Sequence, residues 1–375
     1  MDNKSWFNKT TNTIYLTAAS GIFLDIIRLM AALDVAFTHA RAIWFRSREF
    51  DLVPSHLAHG SVIIFFVLSG YVIAYTTTVK KRAAKEYAVA RLARLYSGLF
   101  PALLFTAAVS LILLYADPGL LNHYSRDKNL LRYMASLFFC NEVWFLSAAP
   151  LLNGVIWSLS YEFWFYLIFG CWLFRHQKGW LLLFIVIMIA GPKILIMLPI
   201  WLLGVFAYKL PKPQLNSITR LMLIALLLAA SVLIMIELPQ LPYALNASRL
   251  YWASSFLSDY AVAICIAFAF WLLPLTGLTA AGKKGRSGWF RKIANLTFPL
   301  YVFHYPCLVL CRAFIHNDTY AGATIALLIT IAFCFVVGVY VEKWHKLLPQ
   351  FFEGMFNGKL MRSFVSIKNK MVTGS

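Results

Sequence analysis

Four ionisable side chains lie within one apolar stretch near the start of the chain: Asp25, Arg28, Asp34 and His39. A charge at the centre of a bilayer costs on the order of 3 kcal/mol or more, so such residues mark binding or reaction sites. Arg28 and His39 are eleven residues apart. At ~100° per residue they fall within about 20° of one helix face, three turns or roughly 16 Å apart along the axis. A fixed cation and a titratable base on one face suit an anionic or carbonyl substrate, with the base activating a nucleophile. The competing structural reading pairs Arg28 with Asp25 one turn away and leaves His39 at the interface. Asp34 lies off this face.

Three further groups carry chemistry. Arg91 and Arg94 are i, i+3 neighbours in the basic segment from Lys80 to Tyr96, read as a loop. Paired guanidinium groups clamp phosphate through several donors, although ordinary positive-inside anchoring accounts for them equally well. Lys80 to Arg82 read as topology residues. Glu162 follows Trp157 and Ser158 into another apolar stretch, with Ser158 on its face at i−4. A carboxylate among aromatic rings needs a partner, and the topology allows that partner to be His39. The structural alternative is a tie to a neighbouring helix. His304 stands three residues after Tyr301 and two before Pro306, which is expected to kink its helix.

The elements that position these groups are membrane helices. The 375 residues are 61% hydrophobic and 13% charged, with a mean hydropathy of +0.71. A soluble chain carries about 25% charged residues. Ten stretches of mainly apolar character are read near 20–41, 59–78, 98–115, 155–174, 180–191, 194–209, 219–237, 254–273, 293–313 and 321–342. The fifth and sixth are short and divided by Gly191, Pro192 and Lys193. With a cytoplasmic N-terminus, the inside segments hold 24 Lys and Arg and the outside segments 9. That asymmetry predicts both termini in the cytoplasm.

The expected fold is therefore an all-α polytopic bundle of about ten spans in a single membrane domain, residues 1–345. A basic and aromatic cytoplasmic tail, 346–375, would lie on the inner surface. No cleavable signal peptide is evident. The six cysteines have no metal-like spacing, so neither a disulfide framework nor a metal site is expected. The net charge of +19 fits cytoplasmic loops and anionic ligands rather than nucleic acid. Outer basic residues, Arg41, Arg46, Arg48, Arg126, Lys128 and Arg132, read as solvated loop charges or contacts for an anionic polysaccharide.

Four segments, taken in order, resemble acyltransferase family 3, the bacterial integral-membrane proteins that O-acylate glycans. They are Arg28 with His39; Phe65-Phe66-Val67-Leu68-Ser69-Gly70-Tyr71 followed by Arg91 and Arg94; Trp157-Ser158-Leu159 through Glu162 to Tyr166; and Leu300-Tyr301 with His304 and Pro306. The resemblance covers about residues 20–342. Ser97, Asp34 and Tyr161 depart from the usual proline, apolar residue and valine.

The resemblance implies an O-acyltransferase of the bacterial inner membrane. It would use cytoplasmic acyl-CoA, usually acetyl-CoA, as co-substrate, with no bound cofactor. The acceptor would be a cell-surface or lipid-linked glycan. His39 would be general base or transient acyl carrier, with Glu162 orienting it as a triad member does. Arg28, Arg91 and Arg94 would hold the CoA phosphates. Ser69, Trp157, Ser158, Tyr301 and His304 would line the substrate site. A different class, a proton-coupled transporter or lipid-linked sugar flippase, also places Arg, His, Asp and Glu within spans. No paired halves favour it here.

Overall fold

The computed structural model describes residues 15–45, 57–124, 128–150, 152–175, 179–276 and 288–356, with side chains in the last stretch described from Thr297 onward. The chain termini, Arg46, Arg48, Arg126 and the tail 357–375 lie outside the described residues.

Helices dominate. They are α1 (Ala18–Trp44), α2 (Leu57–Lys80), α3 (Ala84–Ala116), α4 (Pro118–Tyr124), α5 (Asn129–Leu137), α6 (Trp157–Leu173), α7 (Gly179–Ala190), α8 (Pro192–Lys209), α9 (Ser217–Glu237), α10 (Phe256–Trp271), α11 (Gly288–Arg312) and α12 (Tyr320–Phe356). Two residues at Tyr15–Leu16 pair antiparallel with Leu275–Thr276. Each of the ten apolar stretches falls on a helix. Among the described residues, five helices (α2, α3, α8, α9 and α12) are long and apolar enough to cross a membrane. The charges of α1 are what separate it from that group.

Local chemistry sets the boundaries. Thr17 caps α1 by accepting from the Ser20 amide at 3.1 Å, and Asn216 caps α9 by accepting from Thr219 at 2.8 Å. Gly191 at φ +79° breaks the chain between α7 and α8, and Pro192 starts α8 where its missing N–H costs nothing. The apolar surface faces outward on the peripheral helices: Leu221 and Leu226 on α9, and Leu328 and Phe335 on α12, are more than half exposed. An apolar belt of this kind suits lipid rather than water.

Two sequence expectations change. The basic segment after Lys80 is not a loop, because α3 begins at Ala84 and runs 33 residues in one piece. Nor does the membrane domain end at 345. Helix α12 continues to Phe356, and Phe352 packs with Val89 and Ala93 of α3. Residues 346–356 thus belong to the bundle.

The centre of the bundle is the crossing of α2 and α8. A Cβ on Gly70 would lie 1.9 Å from the Trp201 carbonyl oxygen, and one on Gly204 would lie 1.9 Å from that of Val67. Backbone meets backbone there, so the glycine of the Phe-Phe-Val-Leu-Ser-Gly segment serves helix packing. Gly70→Ala and Gly204→Ala are each expected to destabilise the protein by about 1–3 kcal/mol. Thermal unfolding in nanodiscs checks this. Wild-type melting in both would mean the helices separate freely.

Candidate functional site

Two cavities of about 380 Å³ each occupy opposite ends of the helix bundle. One gathers cations: Arg28 from α1, Arg91 and Arg94 from α3, and Arg82 and His345 beside them. Because α3 starts before this segment, Arg91 and Arg94 sit one turn apart on a rigid helix. The Arg94 guanidinium lies over the Phe298 ring at 4.2 Å, and that of Arg91 lies 5.6 Å from Tyr87 and 5.9 Å from Tyr166. Stacked guanidinium groups keep their edge donors for planar or tetrahedral anions. Arg28 and Asp25 approach to 3.9 Å, too long for a direct hydrogen bond. Arg82, read from sequence as a topology residue, lines this cavity.

Glu162 and Ser69 form the wall of the same cavity. Ser69 Oγ donates to Glu162 Oε1 at 2.6 Å and accepts from Trp201 Nε1 at 3.2 Å. The Tyr166 hydroxyl donates to the same carboxylate oxygen. Glu162 therefore does not orient His39. Its partners are one turn away on its own helix and on α2, and among the described residues it is the one carboxylate lining the cavity with the arginines.

His39 lines the other cavity. Its Nδ1 is 2.9 Å from His304 Nε2, and the two rings are stacked with centroids 5.1 Å apart. His304 Nδ1 faces the carbonyl oxygens of Leu300 at 3.0 Å and Tyr301 at 2.9 Å. Carbonyls only accept, so His304 carries its proton on Nδ1 and accepts at Nε2. His39 then donates from Nδ1, which leaves His39 Nε2 as the free lone pair. His304 is fully buried and lines neither cavity, so its place is behind His39 rather than against a ligand.

Of the residues singled out from sequence, Arg28, Arg91, Arg94, Ser69, Ser158 and Glu162 share the arginine cavity. His39 and Trp157 share the histidine cavity. Tyr301 lines both, as does Val62. The Tyr301 and Ser158 hydroxyls are 2.7 Å apart, so the ring between the cavities is held on its α6 side. Asp34 accepts from Ser61 Oγ at 2.7 Å and ties α1 to α2.

Two buried pairs were not anticipated. His59 Nε2 meets Asp259 Oδ2 at 3.1 Å, and the His59 ring stacks on Trp157, which in turn stacks on Trp252. Asp259 lies inside the predicted span 254–273, so the criterion that flagged Arg28 applied to it as well. Lys193 Nζ lies 2.5 Å from Glu142 Oε2, and both side chains are fully buried. Ser147, in the wall of the histidine cavity, donates to Glu142 Oε1 at 3.1 Å.

The arrangement places clustered guanidinium groups at one end of the bundle and a base with a defined tautomer at the other. A family model described as an acyltransferase domain matches residues 22–339, which include all of these groups except His345. No curated protein and no solved structure matches the chain.

Proposed function

Since the chain belongs to acyltransferase family 3 and is a membrane acyltransferase, we propose that it moves an acyl group, acetyl in the simplest case, from cytoplasmic acyl-CoA to a hydroxyl of a cell-surface or lipid-linked glycan. The observation that carries this reading is the pair of cavities meeting at Tyr301, arginine-lined on one side and presenting His39 on the other.

The excess of Lys and Arg in alternate loops supports an inner-membrane protein of ten spans with the arginine cavity facing the cytoplasm. Arg28, Arg82, Arg91 and Arg94 then hold the CoA phosphates, and the thioester reaches past Tyr301 toward His39. His39 Nε2 takes the proton of the acceptor hydroxyl as its oxygen attacks the thioester carbonyl. The C–S bond breaks, and the thiolate receives that proton from His39 and leaves as free CoA. The His304 lone pair steadies the imidazolium by accepting from His39 Nδ1–H. No metal or prosthetic group enters this chemistry.

The test is transfer of radiolabelled acetyl from acetyl-CoA to envelope glycan in membranes carrying the protein. Labelling above that of empty membranes is expected. A carrier or flippase leaves the thioester intact, and equal labelling in both membranes would overturn the reading. Arg94→Gln is expected to raise KM for acetyl-CoA about tenfold or more, with a smaller change in kcat, because a charge-assisted hydrogen bond to phosphate contributes equally to ground and transition states. An unchanged KM would remove Arg94 from the CoA site.

A further inference from the structure

A third cavity, of about 480 Å³, lies between α3, α6 and α7 and shares part of its wall with the arginine cavity. Arg91 and Tyr166 line both. Two stripes at helical spacing form its sides: Ala84, Ala88 and Leu95 on α3, and Phe163, Leu167 and Gly170 on α6 with Phe174 just beyond it. The Tyr87 ring spans the gap between these helices, and its hydroxyl donates to the Tyr166 carbonyl at 3.0 Å. From Phe163 to Phe174 the groove follows α6 for roughly 16 Å along the helix axis. The hydrocarbon depth of one bilayer leaflet is about 15 Å, half of the ~30 Å core. The rim is apolar and open, with Leu182 of α7 and Phe356 of α12 about half exposed.

Among the described residues, the charged groups that line this groove are both arginines, Arg91 and Arg175. Arg175 follows the end of α6, at the cytoplasmic side in the orientation proposed above. Its Nη1 donates to the Trp172 carbonyl, and its guanidinium lies 5.0 Å from the Trp172 ring and 4.5 Å from that of Trp180. Trp180 is more than half exposed. Tryptophan and arginine at the end of an apolar helix mark the headgroup level of a bilayer. An apolar slot of leaflet length with a cation at its headgroup end matches a molecule with an acyl chain and a negative head. The chain's own tail matches poorly. After Phe356 it carries Lys359, Arg362, Lys368 and Lys370 and no acid, so it would bring like charge to the two arginines.

We propose that this groove binds one anionic phospholipid of the cytoplasmic leaflet, with an acyl chain between α3 and α6 and the phosphate at Arg175. The bound chain packs on the Tyr166 ring and on the apolar stem of Arg91. It thereby steadies from one side two residues that face the arginine cavity on the other. The leaflet rests on the orientation given for the acyltransferase, but the binding itself is measurable without any reaction.

The experiment is native mass spectrometry of the full chain in detergent, titrated with phosphatidylglycerol or with phosphatidylcholine of the same acyl chains, and no acyl-CoA present. The wild type is expected to retain one phosphatidylglycerol about fivefold more tightly than phosphatidylcholine, the gain from one cation at the headgroup level. Arg175→Gln is expected to bring the two lipids level. Ala88→Phe fills the groove from α3 and is expected to weaken both lipids about tenfold while the unfolding temperature stays near that of the wild type. Arg175→Gln decides the matter where Ala88→Phe fails to fold. Three results would overturn the site: equal retention of the two lipids by the wild type, a preference for phosphatidylglycerol that survives Arg175→Gln, or wild-type retention by a folded Ala88→Phe. Displacement of the lipid by glycerol phosphate at equal concentration would reduce the site to one for phosphate alone and overturn it too. A wild type that retains neither lipid would leave the groove to the tail or to a second copy of the chain, against the proposal. Lipid retention by a wild-type protein that transfers no acetyl would sink the acyltransferase chemistry and leave the lipid site standing.

Discussion

His39→Gln is expected to lower acyl transfer by about 10²- to 10⁴-fold, the usual contribution of a positioned general base. The loss falls on kcat, and KM for acetyl-CoA changes little, because His39 lines a different cavity from Arg28, Arg91 and Arg94. The His304 contact sharpens the prediction. His39 Nδ1 is committed to His304 Nε2 at 2.9 Å, so only Nε2 can take a proton from the acceptor. His304→Ala frees the ring to adopt the other tautomer and rotate. The expected loss is about 10- to 100-fold, smaller than that of His39→Gln, as for partners that orient a reactive imidazole. Steady-state kinetics on purified protein, with unfolding temperature as control, separate the two. Wild-type turnover in His39→Gln would remove the base from the mechanism.

Lys193→Met is expected to destabilise the protein by about 3–5 kcal/mol, because it leaves the Glu142 carboxylate buried without its counter-charge. Lys193 also donates to the Leu146 carbonyl at 2.6 Å, so the variant loosens the loop from 138 to 150 as well. The same loop docks on the break between α7 and α8, where the Trp144 amide donates to Ala190 at 3.1 Å. A Cβ on Gly191 would come within 2.6 Å of Trp144 Cα, which fixes that close approach. The double variant Glu142→Leu/Lys193→Met is expected to recover much of the loss, since no charge is then buried unpaired. Chemical or thermal unfolding of the three variants in nanodiscs closes the cycle. A single variant that melts like the wild type would show that the pair contributes nothing to stability.

What the sequence disclosed follows the range of each interaction. The spacing of Arg28 and His39 is a property of one helix, and both side chains do reach cavities on the inner side of α1. The Tyr166 partner of Glu162 is likewise local, at i+4, so spacing alone made it legible, although the sequence reading set only His39 and a neighbouring helix against each other. Pairings between helices left no such trace. His59 and Asp259 are 200 residues apart, so only the packing of α2 against α10 joins them. From sequence Lys193 is only part of the divide between the fifth and sixth stretches, because its partner, Glu142, sits in a loop whose fold no periodicity records. The start of α3 was missed for a different reason. The run from Ala84 to Tyr96 is too charged to read as a span, but Ala, Lys, Glu, Leu and Arg are strong helix formers in any solvent.

The septum formed by Tyr301 and Val62 has an electrical consequence. With the arginine cavity facing the cytoplasm and the histidine cavity the other side, as proposed, the membrane potential is concentrated across the short distance between them. Moving one elementary charge through that distance exchanges roughly 2.3 kcal/mol per 100 mV. In the proposed reaction the phosphates of CoA never leave the arginine side, and what passes Tyr301 is an uncharged acyl group. The proton taken from the acceptor returns to the departing thiolate, so its path is the only charge movement the field can act on. Under that mechanism the turnover rate registers the membrane potential through that proton alone.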